Sequence, residues 1–426
     1  MARSFTPKDM QALMQLFVQQ GTGQTNLTVS DTSSYVSAGE MLMATGIENV
    51  FNAINMVMGR LIIASRAHVK SLKLMQEFDN GIYTSLVRKI SFYTKMPKNS
   101  GAFNTDLFTN LKDGFTNGQN IGGTPPTPKS TQSMWEQNAP IPLEMNFGGS
   151  DTWQNCITMY EVQIGAAFRD ESEMAKFVAG YLREHANDIA LQEEAWNRMC
   201  LLNKIASVYE MSAYMPGSAI DLVAAFNARF GTSYTGTQLR TTYLKEFLAF
   251  FVSEFKLVSK FMTEKTTNYH WPVPQTIDGI QYELTRETPY RDQHVYLYSP
   301  LFTEAESLVL PEIFNPEYLD IKTQYQEITF WQSIDSRAEI NVIPAVTDAD
   351  TTSPTYGTQI SGSAVNLPYV VGMITDRDGL VTNMMLDRVA TTPLEARKLY
   401  RNTWQTFLKG VISDNTENVV VFYMAS

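Results

Sequence analysis

The spacing of apolar side chains changes character abruptly near the middle of the chain. Met174, Phe177, Val178, Tyr181, His185, Ile189, Trp196, Met199, Cys200 and Ile205 follow one another along a single drifting helix face. The pattern predicts one helix over residues 171–211. At 1.5 Å per residue, about 35 residues make a rod of about 50 Å. Asp170, Glu171 and Glu173 stand at its N-terminal end, where the helix dipole favours acids. Gly180 costs about 1 kcal/mol of helix propensity, which packing over such a length outweighs.

Immediately before this helix, residues 96–155 are rich in Gly, Pro, Asn and Thr and hold no sustained period. Segments beyond about 12–15 residues without structure of their own are usually functional or disordered. This one carries Phe108, Phe115, Trp135, Phe147 and Trp153, too many aromatics for a solvated linker. Its tip is expected at Gly122-Gly123-Thr124-Pro125-Pro126-Thr127-Pro128, which suits neither a helix nor a central strand. Returning strands are expected over 134–147 and 152–164. Two arms of about 20 residues, at about 3.3 Å each, reach on the order of 60 Å. That exceeds the radius of a domain this size, so the tip is expected to land on a neighbour.

Elsewhere the pattern predicts a short helix over 7–20, a polar arm over 21–39 and helices over 40–53 and 66–78. A strand follows over 82–95. Beyond Pro216-Gly217, Leu244, Phe247, Leu248, Phe251, Phe255 and Val258 mark a helix over 243–262. Short strands are expected at 295–298, 328–331, 340–343 and 369–374, with a surface loop over 347–366. Thr392-Pro393-Leu394-Glu395 has capping-box spacing with proline at the first helical position. A strand over 419–423 closes the chain.

Composition narrows the class. At 426 residues the chain exceeds one ordinary core, so two or three lobes are expected. Hydrophobic residues at 44% place it among folded proteins. Charged residues reach only 18%, below the usual quarter or so, as suits a surface largely buried against partners. Thirty-three basic against 44 acidic residues leave −11, which argues against a protein that wraps nucleic acid. Cys156 and Cys200 form no metal spacing and fit a reducing compartment better than a disulfide scaffold. No signal-peptide pattern and no run of eighteen apolar residues is present, so no membrane span is expected.

Candidate chemistry is sparse. His68, His185, His270 and His294 lack ligand spacing, and His185 on the apolar helix face reads as structural. No phosphate loop, dinucleotide fingerprint, zinc-protease or nucleophile-elbow motif occurs; Gly231-Thr232-Ser233-Tyr234-Thr235 reads as a plain turn. The acid pairs Glu304/Glu306 and Asp376/Asp378 read as solvated or paired with Arg377 rather than facing one cavity. Trp271, Tyr290, Tyr296, Tyr298 and Trp331 read as core aromatics. No catalytic residue, cofactor or metal is expected.

The order of arm, strand, long excursion, spine-length helix, mixed lobe and terminal strands resembles the major capsid proteins of tailed bacteriophages, the Hong Kong 97 fold. Tyr369-Val370-Val371-Gly372-Met373-Ile374-Thr375-Asp376-Arg377-Asp378-Gly379-Leu380 is similar to that family's strand and following turn. Asp414-Asn415-Thr416-Glu417-Asn418, running into Val419-Val420-Val421-Phe422-Tyr423, is similar to its closing segment. The architectural likeness spans nearly the whole chain, whereas the motifs occupy about 60 C-terminal residues.

The resemblance implies an α+β fold: an N-terminal arm (1–65), peripheral domain (66–95), E-loop hairpin (96–165), spine helix (166–216), axial α/β domain (217–385) and peripheral C-terminal strands (386–426). It also implies that the helix begun at Thr392 stops near Tyr400, and that residues 404–412 pair with 419–423. The implied function is a non-enzymatic major capsid protein. It would self-assemble into pentamers and hexamers forming an icosahedral virion shell around double-stranded DNA, after synthesis in the host cytoplasm. Inter-subunit contacts are then expected at Lys129, Trp135, Phe147, Trp153 and Arg169. Some members cross-link a loop lysine to a neighbour's asparagine; Lys129 has the place, but no motif marks its partners. With no coiled scaffold segment before the arm, a separate scaffolding protein and a portal are the expected partners. DNA contact would be weak and non-specific, as the acidic balance suits. An encapsulin-type cellular shell shares the fold, and a glycan-binding or glycan-acting protein is the reading from a different class.

Overall fold

The computed structural model describes residues 11, 14–15, 18–19, 29–44, 75–79, 86–93, 140–149, 151–163, 171–277, 280–301 and 325–425. The first labelled element is α1 (Thr32–Ala44), so a helix begins inside the segment expected to be a polar arm. Asp31 caps it by accepting the Ser34 N–H at 2.8 Å. Residues 76–78, expected as the end of a helix, instead lie in the strand β1 (Gln76–Asp79). The expected strand over 82–95 is β2 (Leu86–Phe92), paired antiparallel with β3 (Pro142–Gly148) as a two-stranded ribbon. The expected loop tip and most of both arms lie outside the described residues.

After β4 (Asp151–Tyr160) comes the long helix α2, Glu171–Glu210, within a residue of expectation at both ends. Its 40 residues span about 60 Å. Of the expected face, Ile189, Trp196, Cys200 and Ile205 are buried, joined by Leu201 and Val208, whereas Met199 is exposed.

The main core lies around a five-stranded sheet. It contains β5 (Ala219–Asp221), β8 (Gln293–Tyr298), β9 (Tyr325–Ile328), β14 (Tyr369–Asp376) and β17 (Val419–Met424), in the order β5-β17-β14-β8-β9. All of β8 and all but one end residue of β14 are buried. Buried on both faces, such strands read as continuous apolar runs rather than alternations. On one face lie α3 (Leu222–Phe230), the short α4 (Gly236–Thr241) and α5 (Leu244–Met262). Phe251 and Phe255 of α5 meet Phe422 at 5.7 and 5.8 Å between ring centroids. Tyr423, one residue on and on the opposite face, meets Tyr209 of α2 at 5.3 Å. The 231–235 segment is the expected turn: Gly231 ends α3 in the left-handed region, and Thr235 opens α4 with a capping box to Gln238.

Around this sheet are three short two-stranded ribbons. They are β6 (Gln275–Ile277) with β7 (Ile280–Tyr282), β10 (Ile340–Val342) with β13 (Val365–Leu367), and β11 (Ala345–Thr347) with β12 (Gln359–Ser361). The expected 347–366 loop therefore contains β12 and part of β13. It folds back because the Asp348 carboxylate accepts from the Asp350 N–H at 3.1 Å and the Thr355 hydroxyl at 2.6 Å.

A second sheet has four strands, ordered β1-β15-β16-β4, with β15 (Leu380–Thr391) and β16 (Tyr400–Ser413) forming a long hairpin. Two expectations fail here. No helix starts at Thr392: its hydroxyl accepts the Asn402 N–H across the hairpin at 3.1 Å, and Glu395 accepts from the Lys398 N–H at 2.6 Å. The capping residues are thus used to close a turn. Nor does β16 pair with β17. It pairs with β15 and β4, while β17 pairs with β14 and β5 in the other sheet. Residues 151–160, expected within the loop excursion, are accordingly part of a body sheet.

Gly372 stands where the β14–β17 register shifts. A Cβ there would lie 2.6 Å from Leu297 Cδ2 and 2.7 Å from the Tyr296 carbonyl oxygen. Gly372→Ala should therefore destabilise the subunit by about 1–3 kcal/mol, measured by urea unfolding; an unchanged midpoint would show that the sheet relaxes freely.

Candidate functional site

Five consecutive residues, Asp414 to Asn418, carry the chain from β16 in one sheet to β17 in the other. None is more than 8% exposed. Polar side chains buried this deeply must find partners, and between them these reach β2, α2 and the 270–288 region. Asp414 accepts from the Thr416 N–H at 2.8 Å and its hydroxyl at 2.7 Å, closing a local turn, and pairs with Lys89 of β2. Asn415 donates to Ser207 of α2 at 2.9 Å, and its Oδ1 accepts from Lys204 Nζ at 2.8 Å. Lys204 also donates to the Asp414 carbonyl at 2.8 Å. The Thr416 carbonyl accepts from Arg286 Nε at 3.1 Å. Glu417 pairs with Lys89 and, at 3.3 Å, with Arg286. Asn418 Oδ1 faces His270 Nδ1 at 3.0 Å, and its amide donates to Thr288 at 3.2 Å.

The electrostatics follow from burial. Three cations, Lys89, Lys204 and Arg286, meet two carboxylates, Asp414 and Glu417. Lys204 is wholly buried, and desolvation, only partly offset by Asp414, brings its pKa down to about 8. For Lys89, desolvation pulls in the same direction, but Asp414 and Glu417 overcome it and its pKa is raised. Desolvation pushes the Asp414 carboxyl up, and Lys89 together with the two hydrogen bonds from Thr416 more than reverses that, leaving it lowered. Removing one partner from such a cluster costs about 3–5 kcal/mol, because the remaining charge stays buried.

The junction holds the β2–β3 ribbon by one face. Lys89, Ser91 and Tyr93 point inward, with Ser91 accepting from Arg286 at 2.7 Å and Tyr93 donating to the Val273 carbonyl at 2.9 Å. Across the ribbon, Ile90 and Phe92 are 54% and 58% exposed. Where β3 turns toward β4, a groove of about 820 Å³ opens between the ribbon, α2 and the β10–β12 region. Its lining includes Phe147, Asp151, Met199, Asn203 and Ile343.

Of the residues expected at inter-subunit contacts, Phe147 lines this groove. Trp153 is engaged within its own chain, edge-on to Trp196 of α2 at 5.3 Å. Lys129, Trp135 and Arg169 lie outside the described residues, as do His68, Glu304 and Glu306. Asp376 is buried and accepts from Thr288 at 2.8 Å, and Arg377 pairs with Asp292 at 3.5 Å. Trp271, Tyr296, Tyr298 and Trp331 are core residues, while Tyr290 is 44% exposed. Among the described residues, no three His, Cys, Asp or Glu side chains gather as a metal set, and no helix is long and apolar enough to cross a membrane. Lys89, Lys204 and Arg286 have no sequence signal of their own; their only marker was the Asp414–Asn418 motif that they satisfy.

The described elements run in the order N-terminal helix, ribbon, long helix, helix-flanked sheet and terminal strands. No protein-family model and no curated protein matches the chain. Among solved structures it is similar to a chain from the capsid of Staphylococcus phage Andhra, at 12% identity and TM-score 0.49, covering 83% of this chain and 84% of that one. A chain from the structure of head fiber and inner core protein gp22 of bacteriophage P68 matches at 12% identity and TM-score 0.47, with 83% of each covered. One from the capsid of cyanophage P-SCSP1u matches at 11% identity and TM-score 0.42, covering 84% and 88%.

Two outcomes test the junction. Lys89→Met should destabilise the subunit by about 3 kcal/mol in urea unfolding and speed amide exchange in β2 before the main sheet. His270 is fully buried, and desolvation takes its pKa down from its ordinary 6.5 to about 4. The unfolded chain then binds the proton first, so stability is full above about pH 6.5 and falls as the pH drops toward 4. Urea midpoints should decline across that window, and less steeply in His270→Asn.

Proposed function

We propose that this chain is the repeating subunit of an icosahedral virion shell, assembled as pentamers and hexamers around double-stranded DNA. The observation that carries the reading is the β2–β3 ribbon, clamped on one face by buried charges and exposing Ile90 and Phe92 on the other. A two-stranded ribbon is marginal in water by itself, and paired exposed apolar residues at such a place mark a contact surface. The groove beside α2, flanked by Met199 at 49% and Ile343 at 66% exposure, is the complementary feature on an identical neighbour. A ribbon on one subunit and a groove on the next form a heterologous contact, the kind that closes into rings.

The rest of the reading follows from it. The chain between β2 and β3 extends the ribbon over the adjacent subunit, with Trp135 among the anchors. A separate scaffolding protein sets curvature, a portal occupies one vertex, and the net charge of −11 keeps packaged DNA loosely held.

Expressed protein should form closed shells in negative stain. The double variants Ile90→Asp/Phe92→Asp and Met199→Asp/Ile343→Asp should sediment as folded single subunits. Native protein that stays monomeric under all conditions, with residues 96–155 readily cut by protease, would overturn the reading; normal shells from both variants would remove the ribbon and groove from it.

A further inference from the structure

Of the three cations at the junction, Lys204 alone touches no carboxylate. Lys89 pairs with Asp414 and Glu417, and Arg286 pairs with Glu417. Lys204, wholly buried on α2, donates at 2.8 Å to the Asp414 carbonyl and at 2.8 Å to Asn415 Oδ1. Both acceptors are neutral. An ammonium has three protons to place and an amine has two, so two acceptors suit the amine. Desolvation favours the same form, bringing the pKa down to about 8. The Asn415 side chain is equally enclosed: its Nδ2 donates to Ser207 Oγ at 2.9 Å and to Met211 Sδ at 3.0 Å. An amine and a carboxamide are thus held against each other away from bulk water.

We propose that Lys204 and Asn415 join in an isopeptide bond within one chain, tying α2 to the loop between β16 and β17. The Nζ lone pair attacks Asn415 Cγ and forms the new C–N bond. The Cγ–Nδ2 bond breaks, and its electron pair leaves with the nitrogen as ammonia. One proton passes from Nζ to Nδ2, and the Ser207 hydroxyl beside Nδ2 is placed to relay it. No oxidant or other reactant is needed. Groups in hydrogen-bond contact lie near the separation of about 3–3.5 Å at which bound reactants meet. Asn415 also lines the groove beside α2, which gives ammonia a way out. Charge favours the product. With Lys204 protonated, three cations meet two carboxylates; as an amide it carries no charge, and Lys89 and Arg286 face Asp414 and Glu417 alone. The Asp376 carboxyl, which acts on Lys204 more weakly, is occupied by Thr288 and the Asp378 N–H. Because a buried charge without a partner is costly, the amide suits the site better than the protonated lysine does. The bond links positions 211 apart, so it restricts the unfolded chain as well.

Mass spectrometry of the purified protein, denatured after folding, tests the proposal and does not depend on assembly. The chain should be lighter than its sequence by one ammonia, and Lys204→Met should show its full sequence mass. A succinimide at any asparagine would give the same loss, so a tryptic map fixes its position. Cleavage after Lys204 should disappear, and a branched peptide should join Lys204 to the 410–426 segment that follows Lys409. A chain of full sequence mass, or a loss that maps to other residues, overturns the bond. If Lys204→Met does not fold, the mass and map of the unaltered protein decide.

Discussion

The structure depends on one constraint: a polar loop must cross between two sheets through the interior. Asp414 to Asn418 is that loop. Its five polar side chains are buried, and each has to be matched. The partners come from β2, α2 and the 270–290 region. One loop thereby fixes the ribbon, the long helix and the main sheet relative to one another. Because buried charge left unpaired is so costly, the arrangement is specified more sharply than apolar packing alone would achieve.

This explains how a rigid body and an exposed ribbon coexist. The main sheet is buried on both faces and held by aromatic contacts to α5 and α2. The four-stranded sheet is half-buried, with alternating exposure along β16. Among the described residues no layer covers the ribbon's outer face, and its inner face is fastened both by buried charges and by Tyr93 and Leu143, which join the main core. A molecule built this way exposes Ile90 and Phe92 on a ribbon that is fixed from its other face.

Much of the local structure was legible in the chain. The 3.6-residue period located α2 and α5 to within a residue or so, because a long helix buries one stripe whatever it packs against. The continuous apolar runs of β8, β14 and β17 were legible for a similar reason. Strand pairing was not. The segment 400–413 alternates correctly for a strand, but alternation specifies a face and not a partner, so its pairing with β15 and β4 could not be read. The capping-box spacing at Thr392 misled because the same side chains also close a hairpin turn.

The sequence by itself located the long helices and the apolar strands and marked Asp414–Asn418 as a distinctive stretch, since these follow from local periodicity and residue chemistry. Only the tertiary structure decided what that stretch does. Lys89 and Glu417 are 328 positions apart, and no local pattern relates them. It is the meeting of two sheets, through a loop with no path to solvent, that turns scattered lysines and an arginine into the centre of the subunit.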